Sequence, residues 1–144
     1  MAALLVAVLV AACGNTRPCT SCPKIEGNWV FGYSAKAVEG DCGNVPVYTP
    51  PGAMTFTQAG ASLYTSAGGN EVSGTIYDDD QFVLRGTVFN ADGGTLTLYW
   101  RGNYVAGSST LPDGGSNPND AQLSGSFQAS VGGCRMPADF TAVR

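Results

Sequence analysis

The sequence predicts an all-β fold: an eight-stranded antiparallel up-and-down barrel preceded by an N-terminal signal and tether. Three observations carry that expectation. Charged residues make up only 12% of the 144 residues while Gly reaches 20, a mixture that suits strands joined by many turns. From Ile25 onward, apolar and polar residues alternate with period two almost throughout. An apolar-x-Gly-x-apolar pattern recurs five times: Ile25-Gly27-Trp29, Val72-Gly74-Ile76, Leu84-Gly86-Val88, Trp100-Gly102-Tyr104 and Leu123-Gly125-Phe127. Parity puts each of these glycines on the apolar face. Glycine weakens a strand unless the strand must bend or approach a neighbour closely, and a small barrel asks for both.

The chain opens on "AALLVAVLVAA" (2–12), eleven apolar residues that would rise about 16 Å as a helix. That is too short for a bilayer core of about 30 Å and ordinary for the apolar part of a secretory signal. The run ends in small residues before Cys13, and "VAAC", Val10 to Cys13, resembles the lipobox of bacterial lipoproteins. The resemblance implies cleavage before Cys13, acylation of its sulfur and of its new amino group, and the lipid membrane as a partner. Two or three chains at roughly 0.8 kcal/mol per buried CH2 anchor durably. Gly14, rather than Asp, follows the cysteine, which by the same resemblance implies a lipid anchor in the outer membrane of a bacterial envelope. Only Met1 precedes the apolar run, so the basic segment that opens such signals would lie upstream. Residues 14–24, "GNTRPCTSCPK", are polar, Pro-punctuated and without periodicity. The expected division is a signal peptide at 1–12, a lipidated tether at 13–24 and a barrel at 25–144.

Eight strands are expected, at about 27–35, 53–59, 61–66, 71–77, 81–90, 95–105, 122–129 and 135–143. Short turns rich in Gly, Asp and Asn separate most of them: "QAG" (58–60), "AGGN" (67–70), "YDDD" (77–80), "ADGG" (91–94) and "VGG" (131–133). Tight links make sequential strands pair as hairpins, and closing the meander removes its exposed edges. Two longer loops, 36–52 and 106–120, interrupt the series. The inward face then carries Trp29, Phe31, Tyr33, Met54, Phe56, Leu63, Val72, Ile76, Phe82, Leu84, Val88, Leu96, Leu98, Trp100, Tyr104, Leu123, Phe127, Met136 and Phe140. Outward positions are mainly Thr, Ser, Gln, Arg and Asn, the reverse of a transmembrane barrel.

Exported thiols meet an oxidising compartment, so disulfides outrank metal sites for the cysteines other than Cys13. Cys19, Cys22, Cys42 and Cys134 allow three connectivities. With strand one running upward, the 36–52 loop and the "VGGC" turn both fall at the top. Cys42–Cys134 would then staple the closing seam. Cys19 and Cys22 precede strand one at the bottom and are left to pair with each other. A redox "CTSC" would open a helix, which the sequence does not supply, and a four-cysteine zinc site would need a second CxxC.

"GNW", Gly27 to Trp29, opens the first strand, and the chain ends "FTAVR" with Arg144 in inward parity. Together with the eight-stranded meander, these residues resemble the calycin superfamily, lipocalins and related small barrels. The resemblance implies that Trp29 packs beneath Arg144 to close the barrel bottom, a cation–π contact of about 0.5–2 kcal/mol. It also makes the 36–52 loop the counterpart of the lipocalin lid.

The expected function is a non-enzymatic binding or envelope-interaction role. Alternatives are a carrier of a small apolar ligand in the barrel interior, lined by Phe31, Tyr33, Trp100 and Tyr104, and a calycin-like protease inhibitor using residues 14–26 as a wedge. An eight-stranded interior is just wide enough for side chains or one small ligand, and the bulky inward set favours a filled core. Val83, Phe89, Tyr64 and Tyr99 are outward and would mark an interface if they formed one patch. The chain has no His, which removes His triads, bases and metal ligands. "DDD" (78–80) suits a solvated turn, and neither it nor "DGGSNPND" (113–120) has EF-hand spacing, so no catalytic residue, metal or cofactor is expected. With a net charge of −4 and no basic cluster, nucleic acid is not an expected partner. A monomer is expected.

Overall fold

The computed structural model describes residues 17–89 and 94–144. The signal, Cys13 and most of the "ADGG" turn lie outside the described residues. Among those described, nine strands follow in order: β1 (Gly27–Ala35), β2 (Glu39–Gly40), β3 (Ala53–Ala59), β4 (Ser62–Ala67), β5 (Asn70–Ile76), β6 (Gln81–Phe89), β7 (Thr95–Val105), β8 (Gln122–Val131) and β9 (Cys134–Val143). All pairs are antiparallel. β1 pairs with β3 on one side and with β9 on the other, from Val30–Val143 to Ala35–Ala138, which closes the barrel. The eight long strands match the expected ranges to within two residues at each end. The two-residue β2 was not expected. It comes from the long first loop and pairs Glu39 with Arg135 and Gly40 with Cys134.

The turns explain the hairpin registers. Ala67 pairs with Asn70, and the two residues between them, Gly68 and Gly69, have φ of 58° and 82°. A two-residue turn with both centres left-handed matches the natural twist of the flanking strands, and glycine adopts that conformation without steric cost.

The barrel has two distinct ends. The mouth holds the 36–52 loop, the β4–β5 turn and the β8–β9 turn. The closed end holds the start of β1, the β5–β6 turn, the loop from 106 to 121 and Arg144. The inward residues expected from parity are buried, except that Tyr33 and Tyr104 are half-buried. The core also contains Cys19, Ile25, Ala67, Ala121, Ala129, Cys134, Ala138 and Ala142.

Residues 17–24, expected to belong to the tether, are instead docked on the closed end. Pro18 bridges to Tyr77, the Cys19 N–H donates to the Ile76 carbonyl at 3.0 Å, and the Asp78 N–H donates to the Arg17 carbonyl at 3.0 Å. Gln58 fastens the next stretch. Its Oε1 accepts from Ile25 N at 2.8 Å and its Nε2 donates to the Pro23 carbonyl at 3.0 Å. The physical reason is pairing. The backbone groups of Ile76 and Asp78, at and just beyond the end of β5, need partners, and the segment supplies them.

Glycines on the inner face allow this packing. Gly102 and Gly125 pair across β7 and β8. A Cβ on Gly125 would stand 2.1 Å from the Arg101 carbonyl oxygen, and one on Gly102 would stand 2.8 and 2.9 Å from the ring tips of Phe140 and Phe82. Gly102 therefore clears the space in which those rings meet, 6.2 Å apart, while Gly125 lets the β7 backbone come close. We expect Gly125→Ala to destabilise the barrel by about 1–3 kcal/mol, because backbone rather than a flexible side chain must move. A shift of the denaturant midpoint with unchanged slope checks this.

Candidate functional site

The interior is a packed aromatic core. Phe31 stacks on Tyr33 at 5.8 Å and meets Phe140 at 5.5 Å, while Trp100 lies 4.7 Å from Phe127. Trp100 Nε1 donates to the Tyr33 hydroxyl at 3.2 Å, which gives the buried indole N–H its partner. Three of the four residues expected to line an interior ligand site, Phe31, Tyr33 and Trp100, thus come together, and they fill the space with each other. Tyr104 does not join them. It is penultimate in β7, and its N–H donates to the Asp80 carbonyl at the closed end.

Burial pushes the Tyr33 hydroxyl up to about 12, against the Trp100 hydrogen bond that lowers it and with a smaller upward push from Tyr48. The folded state therefore retains a proton that the unfolded chain releases above its ordinary value of 10.0. Stability is intact below that value and falls as pH rises toward about 12. Denaturation midpoints between those two values should show the decline, and Tyr33→Phe should flatten it.

The barrel mouth offers a different site. The 36–52 loop folds across it. The Tyr48 ring lies 6.3 Å from Phe127, and its backbone N–H points to Met136 Sδ at 3.3 Å. Burial also raises the Tyr48 hydroxyl pKa. Beside this plug lies a cleft of about 290 Å³. Val88 and Leu96 form its buried apolar base, while Pro46–Thr49 and the Gly68–Asn70 turn form its walls. Val47 and Phe89 stand at its lips, 65% and 76% exposed. Large apolar side chains left this open to water mark a surface that gains by being covered.

The cleft wall is held by covalent and backbone links. Cys42 is bonded to Cys134 with Cα atoms 4.6 Å apart, and β2 pairs with β9 immediately beside that bond. Cys19 is bonded to Cys22 at the other end, Cα atoms 5.1 Å apart. There the Arg144 guanidinium lies 4.7 Å over the Trp29 ring and donates to the carbonyls of Lys24 and Glu26 at 2.6 and 3.0 Å. Trp29 Nε1 donates to the Ile25 carbonyl at 2.7 Å.

The outward residues do not form one patch. Phe89 belongs to the cleft, Tyr64 stands on the β4 wall, Val83 is half-buried, and Tyr99 lies under Arg85 at 5.4 Å. The acidic stretches serve their own loops. Asp79 accepts from Gln81 N, and Asp113 accepts from Gly115 N. Asp120 accepts from the Ser109 N–H and hydroxyl, which holds its carboxyl below the usual range. Among the described residues, no group of three or more His, Cys, Asp or Glu is placed to hold a metal ion.

Sequence reasoning singled out Val88 and Leu96 as core and Phe89 as outward, but not Pro46, Val47, Tyr48 or Thr49. The signal was the apolar run "VPVY" (45–48) inside an otherwise polar loop. The fold and this cleft define a closed eight-stranded β-barrel with a filled interior and an apolar recess at its mouth. The chain was compared with family models, curated proteins and solved structures, and none of the three gave a match.

Proposed function

We propose that the chain is a membrane-anchored bacterial lipoprotein with a calycin-like, non-enzymatic barrel that binds at the mouth rather than in the interior. The single observation that supports binding is the apolar cleft lipped by Val47 and Phe89 beside a core already occupied by aromatic rings. Its volume, about 290 Å³, is at the small end of ligand sites, so it suits one apolar ring system or short chain. Such a group can belong to a small molecule or protrude from an envelope protein. The lipobox-like "VAAC" and the preceding apolar run support the anchor. The lack of His, and carboxylates engaged with their own turns, support a role without catalysis.

Residues 17–19 are hydrogen-bonded into the closed end, whereas an inhibitory wedge needs a free extended chain. Binding at the mouth is therefore the better reading. The test is titration with an environment-sensitive naphthalene fluorophore. We expect saturable binding that Phe89→Ser or Val47→Ser weakens at least fivefold without lowering the melting temperature, since both side chains are exposed. Binding unaltered by either substitution would remove the cleft from consideration.

A further inference from the structure

We infer that the closed end of the barrel is a lipid-contacting surface, so that the mouth cleft faces away from the membrane. This rests on the anchoring proposed above and adds to it the orientation and the residues in contact. Arg17, Pro18 and Cys19 are bonded to Ile76, Tyr77 and Asp78. The chain is thus fixed to the barrel four residues after Cys13. Four residues span at most about 14 Å. The nine residues of β1 alone extend about 30 Å. An acyl chain on Cys13 therefore holds the closed end at the membrane surface.

A tether of that length would still let the barrel tip onto its wall. The side chains decide between the two poses. Most of the wall is Thr, Ser, Gln and Arg. At the closed end, β7 finishes at Val105 and β9 at Val143, 54% and 48% exposed. Gln122 pairs with both, and Val30, 61% exposed, pairs with Val143 on the next strand. Leu111 in the adjoining 106–121 loop is exposed as well. Val105 and Val143, with the exposed Gln122 between them, form a rim with apolar side chains on the end where the tether leaves, and Val30 continues it up the β1 wall. Buried apolar area adds to the affinity of a lipid anchor, and the interface is where these valines would find it. The occupant is the lipid surface.

The test uses the full chain matured in a bacterial host that acylates lipoproteins, with Cys13 checked by intact mass, on phosphatidylcholine vesicles. Hydrogen exchange is compared between vesicle-bound protein and a soluble Cys13→Ser form. We expect at least threefold slower exchange near Val105, Leu111 and Val143, and no change at 46–49 or at Gly132–Gly133. A Val105→Ser/Val143→Ser variant, altered only at exposed positions, should keep its fold and lose that protection. Protection at the mouth, or none anywhere on acylated protein, overturns the orientation. If Cys13 carries no acyl chain, the anchoring reading fails by itself. A synthetic lipid coupled to the Cys13 thiol then tests the surface with the same two outcomes.

Discussion

The Cys42→Ser/Cys134→Ser variant should lose about 4–5 kcal/mol of stability. The bond closes a separation of 92 residues, and the chain-entropy model gives roughly that value for a loop of this length. Cys134 is buried and Cys42 packs against the core, so serine in their place adds a desolvation cost for new hydroxyls. The Cys19–Cys22 bond closes a separation of only three, so the Cys19→Ser/Cys22→Ser variant should lose about 2 kcal/mol. Denaturant midpoints with and without reductant check both values. The larger bond should also affect binding. It holds the loop that supplies Pro46–Thr49 to the cleft, so its loss should weaken fluorophore binding before the barrel unfolds.

Trp29→Ala should cost about 3–5 kcal/mol, the usual range for a deleted buried indole. Trp29 is fully buried, holds the Ile25 carbonyl through Nε1, and carries the Arg144 guanidinium on its ring. Removing it opens the closed end and leaves the Ile25 carbonyl without that donor. Arg144→Ala should cost less. It loses a cation–π contact of about 0.5–2 kcal/mol and the bonds to two carbonyls. A double-mutant cycle should return a positive coupling between the two residues, because each acts partly through the other. Additive losses would separate them.

Much of the fold was legible because its information is local. Period-two alternation marks strands, and Gly, Asp and Asn mark turns, so the long strands and their hairpin order could be read one after another. The disulfide partners followed from strand direction once Cys13 was set aside and the meander was taken to close. What was missed depends on three dimensions. Ala121, Ala129, Ala138 and Ala142 are small and give little contrast in an alternation pattern, yet they are buried in the core. Glu39–Gly40 is too short to show a period, and its pairing with β9 lies beside the Cys42–Cys134 bond, between residues distant in the chain. Parity correctly placed Tyr104 on the inner face, but parity fixes a face and not a height, so it could not separate Tyr104 from Phe31 and Tyr33.

The candidate site was less legible than the fold. Its base, Val88 and Leu96, reads as ordinary core. Its walls come from a loop whose path no periodicity encodes. Docking of residues 17–24 on the closed end was hidden for the same reason. The hydrogen bonds of Arg17 and Cys19 go to Asp78 and Ile76, and that of Pro23 goes to Gln58, all far away in the chain.

Backbone amide chemical-shift mapping during titration with an apolar aromatic probe tests binding at the mouth of a filled barrel most directly. We expect saturable shifts at Val47, Tyr48, Asn70, Val88, Phe89 and Leu96, with Phe31, Tyr33, Trp100 and Phe140 unmoved. Shifts concentrated on the interior rings, with the mouth residues unmoved, would contradict it.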